Sequence, residues 1–307
     1  MKNLIFAVLG IFMVGGLYGQ QLTQTTPIAS GLNHIWNPAF TAVGTKLDAS
    51  LFYRRQWLGF DGAPSTAVAS IQYPFVDMNM SAGAQIIADR TGPVSKNGIQ
   101  LNYAYKLREL LNRDDQLTFG INGYFHQFNF SSDMVTIRDQ DDVLLTSNRQ
   151  SKFVPAFGVG MAYHSSTEDY DGENIFYLGF SALQVLASDL LLEQGNAKRE
   201  RHFFVNMGTK LFGYNHYIEP SLQVNFVNPE IINYILGAKF ELEESFWAGL
   251  SYSSVADVAI NGGVILNEIA GRYTELKIGV LANINGGSLL SAGPSFEFYA
   301  SYTLDLD

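Results

Sequence analysis

The sequence predicts an all-β fold, a transmembrane antiparallel up-and-down β-barrel of about fourteen strands, carried by a chain that is first exported. Three observations predict it: an N-terminal export signal, a two-residue alternation of apolar and polar side chains over segments of about ten residues, and aromatic residues gathered near segment ends.

The export signal comes first in the chain. Met1-Lys2-Asn3 is a short basic start, Leu4 to Tyr18 is an apolar run broken only by glycines, and Gly19-Gln20-Gln21 turns small and polar. The run is too short for the roughly 20 residues that a bilayer-spanning helix needs, so a cleaved signal peptide over 1–20 is expected in place of a membrane anchor. A polar leader over 21–46 follows, expected as a periplasmic leader or as a hatch folded into the barrel mouth. The barrel itself is expected over 47–307.

Within that body the period is two. In Ile99-Gln100-Leu101-Asn102-Tyr103-Ala104-Tyr105-Lys106-Leu107 the odd positions are apolar or aromatic and the even ones polar or small. Ile218, Pro220, Leu222, Val224 and Phe226 oppose Glu219, Ser221, Gln223 and Asn225, and Leu276, Ile278, Val280, Ala282 and Ile284 oppose Lys277, Gly279, Leu281 and Asn283. Alternation of this length suits a strand with one face in lipid and the other in a polar lumen, whereas a soluble sandwich uses shorter strands of about 5–6 residues. The segments are 47–57, 66–74, 78–89, 97–107, 116–129, 153–165, 174–185, 202–213, 216–227, 231–241, 245–253, 256–266, 275–285 and 296–304. Trp57, Tyr73, Tyr105, Phe212, Tyr214, Trp247 and Tyr302 lie near their ends, as an interfacial girdle requires. Gly120, Gly160, Gly208, Gly263 and Gly279 fall on the polar face, where they leave room inside a narrow lumen. With both termini periplasmic, the longest connections, near 130–152 and 186–201, fall on the outer side.

Composition excludes several functions. Of 307 residues, 47% are hydrophobic and 16% charged, which is incompatible with disorder. The 19 basic against 29 acidic side chains form no basic cluster, so no nucleic-acid partner is expected. Without cysteine there is no disulfide scaffold, Cys nucleophile or thiolate metal site. His34, His126, His164, His202 and His216 are scattered, and no nucleophile elbow, P-loop or dinucleotide fingerprint occurs, so no catalytic residue, cofactor or metal is expected. Asp139-Gln140-Asp141-Asp142 reads either as carboxylates for Ca²⁺ or as a solvated acidic loop, and it lacks the turn glycine and distal Glu of an EF-hand.

The densest signals lie between the leader and the second strand. Asn37-Pro38-Ala39-Phe40 is a turn, because Asn before Pro disfavours helix and Pro fixes φ. By parity Arg55 shares a face with Leu51, Tyr53 and Trp57, while Arg54 shares one with Phe52 and Gln56. Arg55 can then reach lipid headgroups, and Arg54 can face the lumen and an acidic neighbour. Gly59, Gly62 and Pro64 stiffen the turn that follows.

At these residues the sequence resembles the PorP/SprF family of type IX secretion system outer-membrane proteins of Bacteroidetes. The shared features are Asn37-Pro38-Ala39, Tyr53-Arg54-x-Gln56-Trp57, Gly59-x-x-Gly62-x-Pro64 with Thr66, Asp89-Arg90-Thr91-Gly92-Pro93, Phe176-Tyr177-Leu178-Gly179 and Ala248-Gly249-Leu250-Ser251-Tyr252. Thr41-Ala42-Val43-Gly44 and the last two strands depart from the family pattern. The resemblance implies a non-enzymatic barrel in the outer membrane of a Gram-negative bacterium, in lipid. Its expected partners are secretion components, among them a periplasmic peptidoglycan-binding lipoprotein, and a large secreted client of adhesin type, with a link to gliding motility. The competing reading is an outer-membrane channel for hydrophobic small molecules.

Overall fold

The computed structural model describes residues 32–132, 149–167, 173–187, 190–192, 195–197, 200–228, 231–243, 245–254, 257–269, 273–286 and 291–306. Among them, fourteen long strands form one antiparallel cylinder: β1 Lys46–Arg55, β2 Ser65–Phe75, β3 Met80–Thr91, β4 Val94–Arg108, β5 Gln116–Phe130, β6 Val154–His164, β7 Ile175–Ala187, β8 His202–Phe212, β9 His216–Asn228, β10 Ile231–Leu242, β11 Phe246–Ser253, β12 Val258–Asn267, β13 Thr274–Ile284 and β14 Ser295–Asp305. Each pairs with the next, and β1 pairs with β14 from Lys46↔Asp305 to Arg55↔Phe296, which leaves no edge. Closure follows from the solvent, since lipid offers no partner to an exposed strand edge. Strand ends differ from the sequence expectation by at most three residues. The signal peptide and Asp139-Gln140-Asp141-Asp142 lie outside the described residues.

The two faces sort by parity. On β4, Ile99, Leu101, Tyr103 and Tyr105 are exposed on the outside, while Gln100, Asn102, Ala104 and Lys106 are buried inside. Trp247 corrects one expectation. It belongs to no girdle but points into the lumen, because it alternates with the outward Phe246, Ala248 and Leu250. A Cβ on Gly263 or Gly279 would collide with its indole, so those two glycines form its seat. Trp57 is a second correction: β1 stops at Arg55, and Trp57 turns the chain with φ 49°.

The rim holding Lys46 and Asp305 carries short connections such as 76–79, 213–215 and 243–245, whereas the opposite rim carries 56–64, 131–153, 188–201 and 285–294. Short turns mark the periplasmic rim and long loops the outer one. The periplasmic turn between β4 and β5 is organised by Asp115, whose carboxylate accepts the backbone N–H groups of Leu110 (2.6 Å), Leu111 (2.8 Å) and Asn112 (3.1 Å). Desolvation opposes the charge, but these three donors hold the Asp115 carboxyl below the usual carboxylate range. A depressed folded value contributes stability that is complete above the unfolded value of about 3.9 and is lost as pH falls through the folded one. Asp115→Asn should therefore flatten the acid limb of stability below about pH 4, read by urea unfolding in lipid vesicles.

Candidate functional site

Residues 32–45 run through the lumen from its outer half to the periplasmic rim. They form two short 3₁₀ turns, Leu32–Ile35 and Pro38–Phe40. Asn37 caps the second turn: its Oδ1 accepts the Ala39 N–H at 2.9 Å, and Pro38 supplies the φ that the turn needs. The Asn37 amide then donates to the carbonyls of Met161 on β6 (3.3 Å) and Phe180 on β7 (3.2 Å), so one side chain both shapes the turn and ties it to the wall.

The wall is cut to receive this turn. A Cβ on Gly120 would overlap the Pro38–Ala39 peptide, one on Gly160 the Asn37 carboxamide oxygen, and one on Gly179 the Phe40 ring. Three neighbouring strands, β5, β6 and β7, thus contribute one glycine each. Polar luminal side chains complete the fit. Ser181 Oγ donates to Trp36 O (2.6 Å), Gln100 Nε2 to Ile35 O (3.2 Å), Asn102 Nδ2 to His34 O (2.9 Å), and Lys106 Nζ to Ala42 O and Gly44 O, while Gln72 Oε1 accepts Ala42 N–H (2.8 Å). On β2, β4 and β7 the polar half of the strand alternation therefore satisfies the buried backbone of the plug, as such groups require.

Between the plug and the outer rim lies a cavity of about 430 Å³ with an apolar floor of Leu32, Ile35 and Trp36, apolar walls that include Phe52 and Val68, and Arg54, Asp89 and Lys96 among its polar lining. Lys96 lies over the Tyr124 ring, 5.0 Å from its centroid.

The motif residues occupy three places. Asn37, Pro38 and Ala39 are buried at the centre of the plug. Tyr53 faces outward toward lipid, while Arg54 on the same strand faces inward and pairs with Glu297 on β14 at 3.1 Å, with both side chains buried. Gln56, Trp57, Gly59, Gly62 and Pro64 build the outer rim. Gln56 N–H donates to Pro64 O (2.9 Å), Trp57 N–H to Ser295 Oγ (3.2 Å) and Gly59 N–H to Ala292 O (3.1 Å), and Gly62, with φ 73°, accepts the Gly92 N–H (2.9 Å). That loop is thus laced to the loop before β14 across the seam where the barrel closes, and to the β3–β4 turn on its other side. Only Arg54 joins the two regions, since it stands at the seam and lines the cavity above the plug. Arg54→Ala would strand a buried Glu297 carboxylate and should cost about 3–5 kcal/mol, much of it recovered in Arg54→Ala/Glu297→Leu; thermal unfolding in detergent measures both.

The sequence reading missed a second polar layer, on the far luminal wall. Lys239 pairs with Glu219 and Glu241, each at 3.3 Å, Lys277 with Glu241 at 2.7 Å, and the Tyr217 hydroxyl donates to Glu241 at 2.7 Å. The available signal was charge recurring at luminal parity on β9, β10 and β13. His34 sits in the plug and His126, His164 and His202 on the luminal face; among the described residues no group of three potential ligands is placed to hold a metal.

Two solved structures share this architecture. The "CymD monoaromatic hydrocarbon channel" matches with TM-score 0.51 and 11% identity over 91% of this chain and 93% of that one. A FadL homologue of Pseudomonas aeruginosa matches with TM-score 0.52 and 10% identity over 90% and 94%. At such identity the likeness shows the fold alone. No curated protein matches the sequence. The family described as "Type IX secretion system membrane protein PorP/SprF" matches residues 18–302, most of the barrel, its plug and the laced rim. The chain therefore belongs to the PorP/SprF family of type IX secretion system membrane proteins and forms an outer-membrane β-barrel.

Proposed function

We propose that this barrel is a non-enzymatic part of the secretion apparatus, needed for the release or surface attachment of particular large proteins of adhesin type. Its rims are the working surfaces. The observation that supports this reading is the plug: residues 32–45 lie inside the lumen and are hydrogen-bonded to β2, β4, β6 and β7, which suits a docking body better than a passage for a protein. The laced outer loop from Gln56 to Pro64 presents the surface for a client or an outer component, with Leu58 and Phe60 exposed on it. The periplasmic rim, with its turn fixed by Asp115, faces the motor components and a peptidoglycan-binding lipoprotein. The N-terminal leader over 21–46, freed by cleavage near residue 20, serves as the hatch. Deleting the gene should remove one or a few large proteins from the culture medium while small-molecule uptake stays unchanged. Intact secretion in the deletion strain would count decisively against this reading.

A second reading, a channel for hydrophobic small molecules, is favoured by the partly apolar cavity above the plug and by the likeness to a protein titled a hydrocarbon channel. Growth on hydrophobic substrates discriminates: the channel reading requires a defect in the deletion strain, and the secretion reading requires none.

A further inference from the structure

We propose that the cavity above the plug opens sideways into the bilayer and takes up the alkyl chain of a membrane amphiphile. This goes beyond both readings of function, since it concerns a resident chain and not a transported or exported cargo.

The wall is irregular at one place beside the cavity. Pairing between β6 and β7 passes from Phe157↔Leu186 to Val159↔Ala182, so residues 183–185 stand against Gly158 alone. Gln184 takes φ 59°, a left-handed conformation rare for a residue with a side chain. A bulge of this kind leaves ladder groups unpaired within a membrane wall, where each unpaired group is costly. The cavity meets the wall at this bulge, for Leu183 and Gln184 line it. So does Phe157, whose ring lies on the lipid-facing side and is 47% exposed. One residue therefore borders both the cavity and the bilayer. Gly158 makes this possible, because a Cβ there would meet Leu183 Cδ2 at 2.8 Å and the backbone oxygen of Ala182 at 2.9 Å. Only a glycine lets Leu183 fold inward over this position beside the bulge.

The lining selects the ligand. Leu32, Ile35, Trp36, Phe52 and Val68 offer an apolar bed, whereas the charged Arg54, Lys96, Asp89 and Glu200 share the lining. At about 430 Å³ the space falls in the range of small-molecule sites, roughly 300–1,000 Å³. A single hydrocarbon chain with a polar head answers that pattern.

Trp36 on the cavity floor reports occupancy. In a Trp57→Phe/Trp247→Phe protein it is the sole tryptophan, since the chain has three. Reconstituted into vesicles of phosphatidylcholine with brominated acyl chains, this protein should lose most of its Trp36 emission relative to unbrominated vesicles. Removing Gln184 and Val185 restores one-to-one pairing opposite Gly158 and should restore that emission, and Ala156→Phe, which narrows the cavity at the bulge, should do the same without a change in strand length. A water-borne dibrominated fatty acid, added to detergent-solubilised protein, should still quench Trp36 in the deletion variant, which separates the site from the sideways route. Equal quenching by the brominated lipid with and without the bulge, or quenching by the water-borne acid alone in the bulged protein, would overturn the proposal. Emission unchanged under both probes would do so as well.

Discussion

Gly120→Val should drive the plug out of the lumen. The β-carbon of any residue at 120 would occupy the space of the Pro38–Ala39 peptide, and backbone cannot step aside as a flexible side-chain end can. Overpacking of this sort costs about 1–3 kcal/mol when the core can adjust. Here adjustment means losing the Asn37 amide bonds to Met161 and Phe180 as well, and a buried polar group left unpaired costs about 1–3 kcal/mol more. The absence of cysteine supplies the readout. Thr41→Cys, fully buried in the intact plug, should resist a water-soluble maleimide in the otherwise native barrel and react readily in the Gly120→Val background. Gly123, three residues along the same strand but on the lipid face, is the control, because a Cβ there meets ring atoms only at 3.4 Å and beyond.

Val280→Arg should cost about 2–4 kcal/mol, since Val280 lies near the middle of β13, faces outward and is 61% exposed to what is lipid in the membrane. Gln223→Arg, on the luminal face of β9, should cost markedly less, because a guanidinium there can find polar neighbours. Urea unfolding of the barrel in vesicles measures the pair, and equal costs would contradict the assignment of faces.

The strands were legible because lipid imposes a strict rule. A position facing hydrocarbon tolerates almost nothing polar, so Ile99, Leu101, Tyr103 and Tyr105 on one face announce both the strand and its parity. Parity also places Arg54 inside and Arg55 outside, as the structure has them. The luminal side obeys a looser rule. Gln100, Asn102 and Ser181 would suit water as well as they suit the carbonyls of Ile35, His34 and Trp36, so the alternation shows a polar interior without showing what fills it. Asn37-Pro38 read as a turn, but its seat consists of glycines on β5, β6 and β7 that are distant in sequence, and two of them, Gly120 and Gly160, read only as spare room. Trp247 was misplaced because nearness to a strand end was weighed without parity. The bulge at residues 183–185 left no mark in sequence, for it is a matter of register between two otherwise ordinary strands.

Conductance across a planar bilayer tests the central claim most directly. The intact barrel, with residues 32–45 seated in its lumen, should be electrically silent, and a variant lacking residues 32–42 should open a steady ohmic pore through the vacated lumen. A steady current of the same size through the intact protein would contradict the plugged cylinder described above.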